Sequence, residues 1–356
     1  MRWHGTRILD IISNRTIKGI FTMKMFQSIA TMCFVLCCVY TFPLLGQTDT
    51  KGQKAPELKY SLRVDFKENI YASYIMDEKT VVNRMYRDSI GKQYQRKVQY
   101  NFTQSPESPK ADGLPLVTNI DSMKYAFMDG STQLLYDSQN PKAATVNTEF
   151  PDAISNMALL NHQFVLVYSP QTEVANVRGV DQPGDIEWLR NYIIKEGQDA
   201  LDTAQRFTWL NALKDEQAAW IGDVSKELIA GKMVISPDSV WKRAIRLRLD
   251  GIDFTDTVEV RVTSYSKGEY VIEAISKALT PITTDDARFF GVPAPVPIQK
   301  GSGQGTIMME MNSSGWVKKV SLKYKANVSA QYKREQFTQE ITTEATWNLL
   351  GRYKWN

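Results

Sequence analysis

Hydrophobic and polar residues alternate one for one near both ends of this chain. Leu58, Tyr60, Leu62, Val64 and Phe66 are interleaved with Lys59, Ser61, Arg63, Asp65 and Lys67. Far downstream, Trp316, Val320, Leu322, Tyr324, Ala326 and Val328 share one phase, and so do Phe337, Ile341, Ala345, Trp347 and Leu349. A period of two puts the apolar set on one face of an extended strand and the polar set on the other. Strands of this kind belong in an antiparallel sheet with one face covered and one in water.

Turn signals divide the pattern. Glu68-Asn69 is predicted to join a strand over 58–67 to one over 70–76, and Ile90-Gly91-Lys92 to join 81–88 to 94–102. Asp129-Gly130 and Ser266-Lys267-Gly268 mark two more hairpins, and 164–168 with 173–178 another. Pro151 suits the first turn of a short helix over 152–160. The middle changes period. From Pro183 to Ile235 the apolar residues fall on helical stripes, among them Ile186, Leu189, Ile193 and Ile194, then Phe207, Leu210, Leu213, Ala218 and Ile221. The expectation is an α+β protein: a large curved antiparallel sheet, half-barrel-like, with a helical cover from the middle of the chain. Residues 58–356 are read as a single domain, with 183–235 as its helical segment and 47–57 as a flexible lead-in.

Residues 1–46 read as a leader. Lys24 precedes an apolar run from Ile29 to Leu45, and Leu44-Leu45-Gly46 offers a small-residue cut before Gln47. Residues 1–22 are read as a misassigned start, with Met23 or Met25 as the true one; a long signal sequence is the alternative. Pro43 and Gly46 end the run too early for a membrane span, so none is expected after cleavage. None of Cys33, Cys37 and Cys38 follows a small residue, which favours a soluble product over a lipid anchor. The expected destination is the periplasm or the cell exterior, with envelope association.

The cut has chemical consequences. All three cysteines and His4 go with the leader, and His162 becomes the only histidine. Thiolate and imidazole metal sites are then out of reach, so neither transition metal nor cofactor is expected. Five of the 43 Lys/Arg and one of the 39 Asp/Glu lie in the leader, which leaves 38 of each. A neutral chain gives no argument for nucleic acid as a partner.

The remaining motifs read as structure. His162 has no partner for a catalytic pair. Gly301-Ser302-Gly303-Gln304-Gly305 lacks the following helix a phosphate loop needs, and reads as a bulged start to a strand. Ser89-Ile90-Gly91-Lys92 and Ser264-Tyr265-Ser266-Lys267 have Ser-x-x-Lys spacing but fall on expected turns. Asp250, Asp253 and Asp256 do not follow a calcium-loop order, and read as a solvated acidic loop. Five Asp-Ser/Thr-apolar triplets, such as Asp256-Thr257-Val258, resemble bacterial O-glycosylation acceptors. The best binding hint is Met309 and Met311 near Trp316, with Trp209 and Trp220 in the helical stretch, because methionine and tryptophan line adaptable apolar pockets.

Three short motifs stand out: Pro237-Asp238-Ser239-Val240-Trp241 ahead of a strand, Gly301 to Gly305 leading into one, and Asn312-Ser313-Ser314-Gly315-Trp316 as a hairpin turn. With the Phe164 to Gly179 hairpin they give a chain that resembles a family of uncharacterised exported proteins of Bacteroidota-type bacteria. The resemblance implies an exported protein and carries over no reaction and no site residues. Such chains are similar in general look to the curved sheets of periplasmic lipoprotein and lipid carriers. The function expected is that of a non-enzymatic envelope protein that binds an apolar small molecule or an envelope protein partner. The alternatives are a carboxylate-dependent enzyme acting on envelope glycans and an outer-membrane β-barrel.

Overall fold

A computed structural model describes residues 60–62, 69–87, 89–108, 113–145, 150–168, 176–179, 215–222, 228, 233–235, 239–282, 287, 289–292, 295–312 and 316–354. All belong to the compact unit Ala55–Asn356. Residues 1–59 and 183–214 lie outside the described residues, and with them the expected leader, the expected lead-in and Trp209.

Fourteen strands run in chain order as β1 (Tyr60–Leu62), β2 (Ile70–Tyr86), β3 (Ser89–Pro106), β4 (Leu114–Asp129), β5 (Thr132–Asp137), β6 (Gln163–Tyr168), β7 (Asn176–Arg178), β8 (Met233–Ile235), β9 (Val240–Leu249), β10 (Ile252–Ser266), β11 (Glu269–Pro281), β12 (Ile298–Asn312), β13 (Val317–Tyr332) and β14 (Glu335–Lys354). The helices α1 (Pro151–Met157) and α2 (Asp215–Ile221) are two turns each. Twelve strands form one sheet in the order β7-β6-β4-β3-β2-β14-β13-β12-β11-β10-β9, with β5 beside the outer half of β4. Every pairing in it is antiparallel. Two meanders therefore leave a central β2–β14 pair in opposite directions.

This corrects the α+β expectation. The described chain is 77% strand and 6% helical, so the class is all-β. Met233–Ile235, read as the end of a helical segment, is strand β8 and pairs with β1 as a separate two-stranded sheet. A short apolar run bounded by glycine and proline satisfies both periods, and its partner decides which one forms. The same pairing overturns the first expected hairpin, since Tyr60–Leu62 meets β8 and not Ile70–Met76.

Other expectations hold in register. Trp316, Val320, Leu322, Tyr324, Ala326 and Val328 are all buried, as are Phe337, Ile341, Ala345 and Trp347. The β10–β11 turn is Lys267-Gly268, with φ of 51° and 81°. Two positive φ values in a two-residue hairpin loop are what glycine at the second place makes easy. Tyr86 of β2 already pairs with Ser89 of β3, so the chain turns ahead of the Ile90-Gly91-Lys92 expected to mark the turn. Gly301 to Gly305 lie inside β12 and not before it. A Cβ on Gly305 would sit 2.4 Å from the Lys323 carbonyl oxygen and 2.5 Å from the Tyr324 ring, so close strand approach fixes that glycine.

The sheet curls around its apolar face. Helix α2 touches both edge strands, β7 and β9, as well as β6. Its last carbonyls, which a helix cannot satisfy itself, are met by side chains of the sheet. Trp347 Nε1 donates to Ile221 O at 3.0 Å, and Gln104 Nε2 to Gly222 O at 3.0 Å. Phe289 and Phe290, between β11 and β12, pack edge-on or tilted against Phe337, Tyr94, Phe127 and Phe150 at centroid distances of 4.9 to 5.4 Å. Each fully buried aromatic contributes about 1.5–3 kcal/mol to this core.

Candidate functional site

Charged residues break the apolar phase on the inner face. Glu78 lies in phase with Tyr74, Met76 and Val82, and Arg96 with Tyr94, Val98 and Tyr100. The structure gathers them. Arg96 NH1 donates to Asp152 Oδ1 at 2.8 Å and to Asp250 Oδ1 at 3.3 Å, and its NH2 to Glu78 Oε1 at 3.2 Å. Asp152 comes from α1 and also accepts from Tyr125 Oη at 2.6 Å. Asp250 comes from the β9–β10 turn and accepts from Tyr94 Oη at 2.6 Å and Gln339 Nε2 at 3.0 Å. Gln339 Oε1 takes two bonds from Arg84, at 3.0 and 2.8 Å. Trp220 of α2 donates from Nε1 to Glu78 Oε2 at 2.8 Å. One buried network thus joins β2, β3, β4 and β14 to both helices and to the tip of the β9–β10 hairpin.

Burial sets its electrostatics. Desolvation pushes the Asp250 carboxyl up to about 6, against the pull of Arg96 and of the Tyr94 hydroxyl. Burial and then Asp250 raise the Tyr94 phenol well above its ordinary value; burial and then Asp152 do the same for Tyr125. Burial works against the Arg96 charge, but Asp152, Glu78 and Asp250 outweigh it and hold the guanidinium above its usual range.

The Asp250 shift has a sign. Between pH 3.8, the ordinary value, and about 6 the folded chain holds a proton that the unfolded chain has lost. Stability from this group therefore falls as pH rises through that window and is regained on acidification, by on the order of 3 kcal/mol in all. Asparagine imitates the protonated form and tolerates the φ of 51° at this position. Urea titrations from pH 7.5 to 4 should show Asp250→Asn most favourable relative to the parent at high pH. That advantage should shrink on acidification; a constant difference would show that Asp250 does not titrate here.

The acidic-loop expectation is corrected by this geometry. Asp250 and Asp253 are buried, and Asp253 pairs with Arg248 at 3.0 Å. Asp256 accepts from the Ala278 amide at 3.1 Å and from the Ser276 hydroxyl. Among the described residues no group of His, Cys, Asp and Glu is placed to hold a metal ion. The signal that sequence reading passed over is Asp250-Gly251 between alternating strands, a hairpin turn by composition. His162 is half-buried, its Nε2 against the Gly179 carbonyl at the β6–β7 edge.

Of the residues expected to bind a ligand, Met309, Met311, Trp316 and Trp220 are buried, and Trp209 lies outside the described residues. Met309 and Met311 lie buried on β12, between β11 and β13, and Trp316 precedes β13. Trp220 is edge-on to Trp347 at 5.5 Å, and Trp347 stands opposite Val320, the partner of Met309. Met309, Met311, Trp316 and Trp220 do not line a groove of about 620 Å³ that opens on the outer face of β14, β2, β3 and β4. Lys79, Lys97, Lys124 and Glu344 line its floor, and Leu135 of β5 with Asn140 and Ala143 form its wall. Its volume lies in the range of small-molecule sites.

No protein-family model and no curated protein matches the chain. Solved structures give distant likenesses. Lipovitellin matches at 9% identity and a TM-score of 0.38 over 82% of this chain, which spans 26% of lipovitellin's length. The β-domain of the Bordetella autotransporter BrkA matches at 6% identity and a TM-score of 0.23, over 78% of this chain and 99% of that one. OccK1 of Pseudomonas aeruginosa matches at 6% and 0.16, over 81% and 100%. Scores this low carry neither fold assignment nor function. Among the described residues no helix is long and apolar enough to cross a membrane.

Proposed function

We propose that the chain is an exported, non-catalytic binding protein of the bacterial envelope, of the Bacteroidota-type family it resembles. Its ligand site is the outer-face groove. The observation that carries this reading is the groove itself, a walled space of about 620 Å³ over four neighbouring strands. The leader motivates export. The three carboxylates that do converge, Glu78, Asp152 and Asp250, meet on Arg96 inside the sheet, where they hold a structural cation and face no substrate.

Native mass spectrometry of protein purified from its own host tests the reading. The parent should retain a small molecule, and Ala126→Trp, which fills the floor of the groove, should lose it. An adduct retained equally by Ala126→Trp, or no adduct in the parent, overturns the site. The same mass reports export, since the processed chain should begin near Gln47.

A further inference from the structure

One cross-strand row runs across the floor of the groove. Glu344 of β14 stands opposite Lys79 of β2, Lys79 opposite Lys97 of β3, Lys97 opposite Ala126 of β4, and Ala126 opposite Leu135 of β5. Its polarity is graded: charge at one end, two ammonium groups in the middle, apolar side chains at the other. Like charges directly opposite on neighbouring strands repel, so the Lys79–Lys97 pair costs the empty protein something.

The acids around the groove have other partners. Glu344 pairs with Lys323 at 2.6 Å, and Lys323 and then Lys79 hold its carboxyl below the usual range. Asp137 takes the Gln139 amide at 2.9 Å and faces Lys124 at 3.8 Å. Asp77 accepts from Gln99 at 2.7 Å. Lys97 makes no ion pair or hydrogen bond among the described residues. Beside it the floor and wall turn apolar, with Ala126 half-buried and Leu135 39% exposed.

We propose that the groove binds an anionic amphiphile of medium chain length, its acidic head between Lys79 and Lys97 and its aliphatic chain across Ala126 to Leu135. The proposal rests on the groove being the ligand site. An acidic head relieves the ammonium repulsion that a neutral or cationic head leaves in place. With neighbouring strands about 4.8 Å apart, the path from the midpoint of the lysine pair to Leu135 is roughly 12 Å, which suits a chain such as decanoate.

Three probes at submicellar concentration separate the possibilities: decanoate, neutral octyl glucoside and cationic decyltrimethylammonium. Calorimetric titration should give decanoate a Kd at least about tenfold lower than either other probe. Lys97→Gln should weaken decanoate by about tenfold or more, the scale of one lost charged hydrogen bond, and leave octyl glucoside unchanged. The melting temperature of unliganded Lys97→Gln should equal or exceed that of the parent, which separates a lost contact from a damaged fold. Equal affinity for all three probes, or decanoate binding indifferent to Lys97→Gln, overturns the anionic ligand and leaves the groove standing if Ala126→Trp still abolishes binding. No binding of any probe, or binding that survives Ala126→Trp, overturns both.

Discussion

Arg96→Met is expected to lower stability by about 3–5 kcal/mol, read as the urea midpoint of the far-ultraviolet signal. Methionine keeps much of the volume but leaves the carboxylates of Glu78, Asp152 and Asp250 buried without their shared cation. Removing one partner of a buried ion pair is far costlier than never having built it. Adding Asp152→Leu to Arg96→Met should return part of the loss, because one uncompensated charge goes with it. A midpoint unchanged in Arg96→Met would mean the network does not hold α1 and the β9–β10 tip against the sheet.

The second large effect is expected at Leu322. Its side chain is 3% exposed on the inner face of β13, between Ile307 and Ala345 of the neighbouring strands. Leu322→Ala should cost about 2–5 kcal/mol, the lost transfer energy plus the cavity left behind. Lys323, one residue on, points outward with 65% of its side chain exposed, and Lys323→Ala should stay within about 0.5 kcal/mol. Equal costs at the two positions would mean a register slip of one residue, which exchanges the faces.

The two positions also show what the sequence makes legible. The phase of β13 and β14 can be read directly because the inner face is apolar and the outer face wet along nearly their whole length. The partner of a strand is another matter. Alternation at Tyr60–Leu62 says only that it is extended; the chain that completes it lies beyond residue 230. The network is harder still. Arg96 and Glu78 occupy apolar phase, which is a readable anomaly, but Asp152 and Asp250 reach them only once the sheet has curled. The groove left no composition signal. It exists because β5 and the segment after it stand over a lysine-bearing face, and no run of neighbouring residues carries that arrangement.

The pairing of β2 with β14 bears on the order of events in the cell. These are the two middle strands of the twelve-stranded sheet, and Arg84 meets Gln339 across 255 positions of chain. A ribosome must finish almost the whole polypeptide before the centre of the sheet can close. Until then each meander ends in a long open edge, and folds dominated by such distant pairings form slowly. For the export proposed above this delay would be useful, since the chain would stay threadable while a translocation channel passes it. The same delay makes a chain cut short before Glu335 dangerous, because it would leave β2 and β13 as unpaired edges ready to add strands from a neighbour.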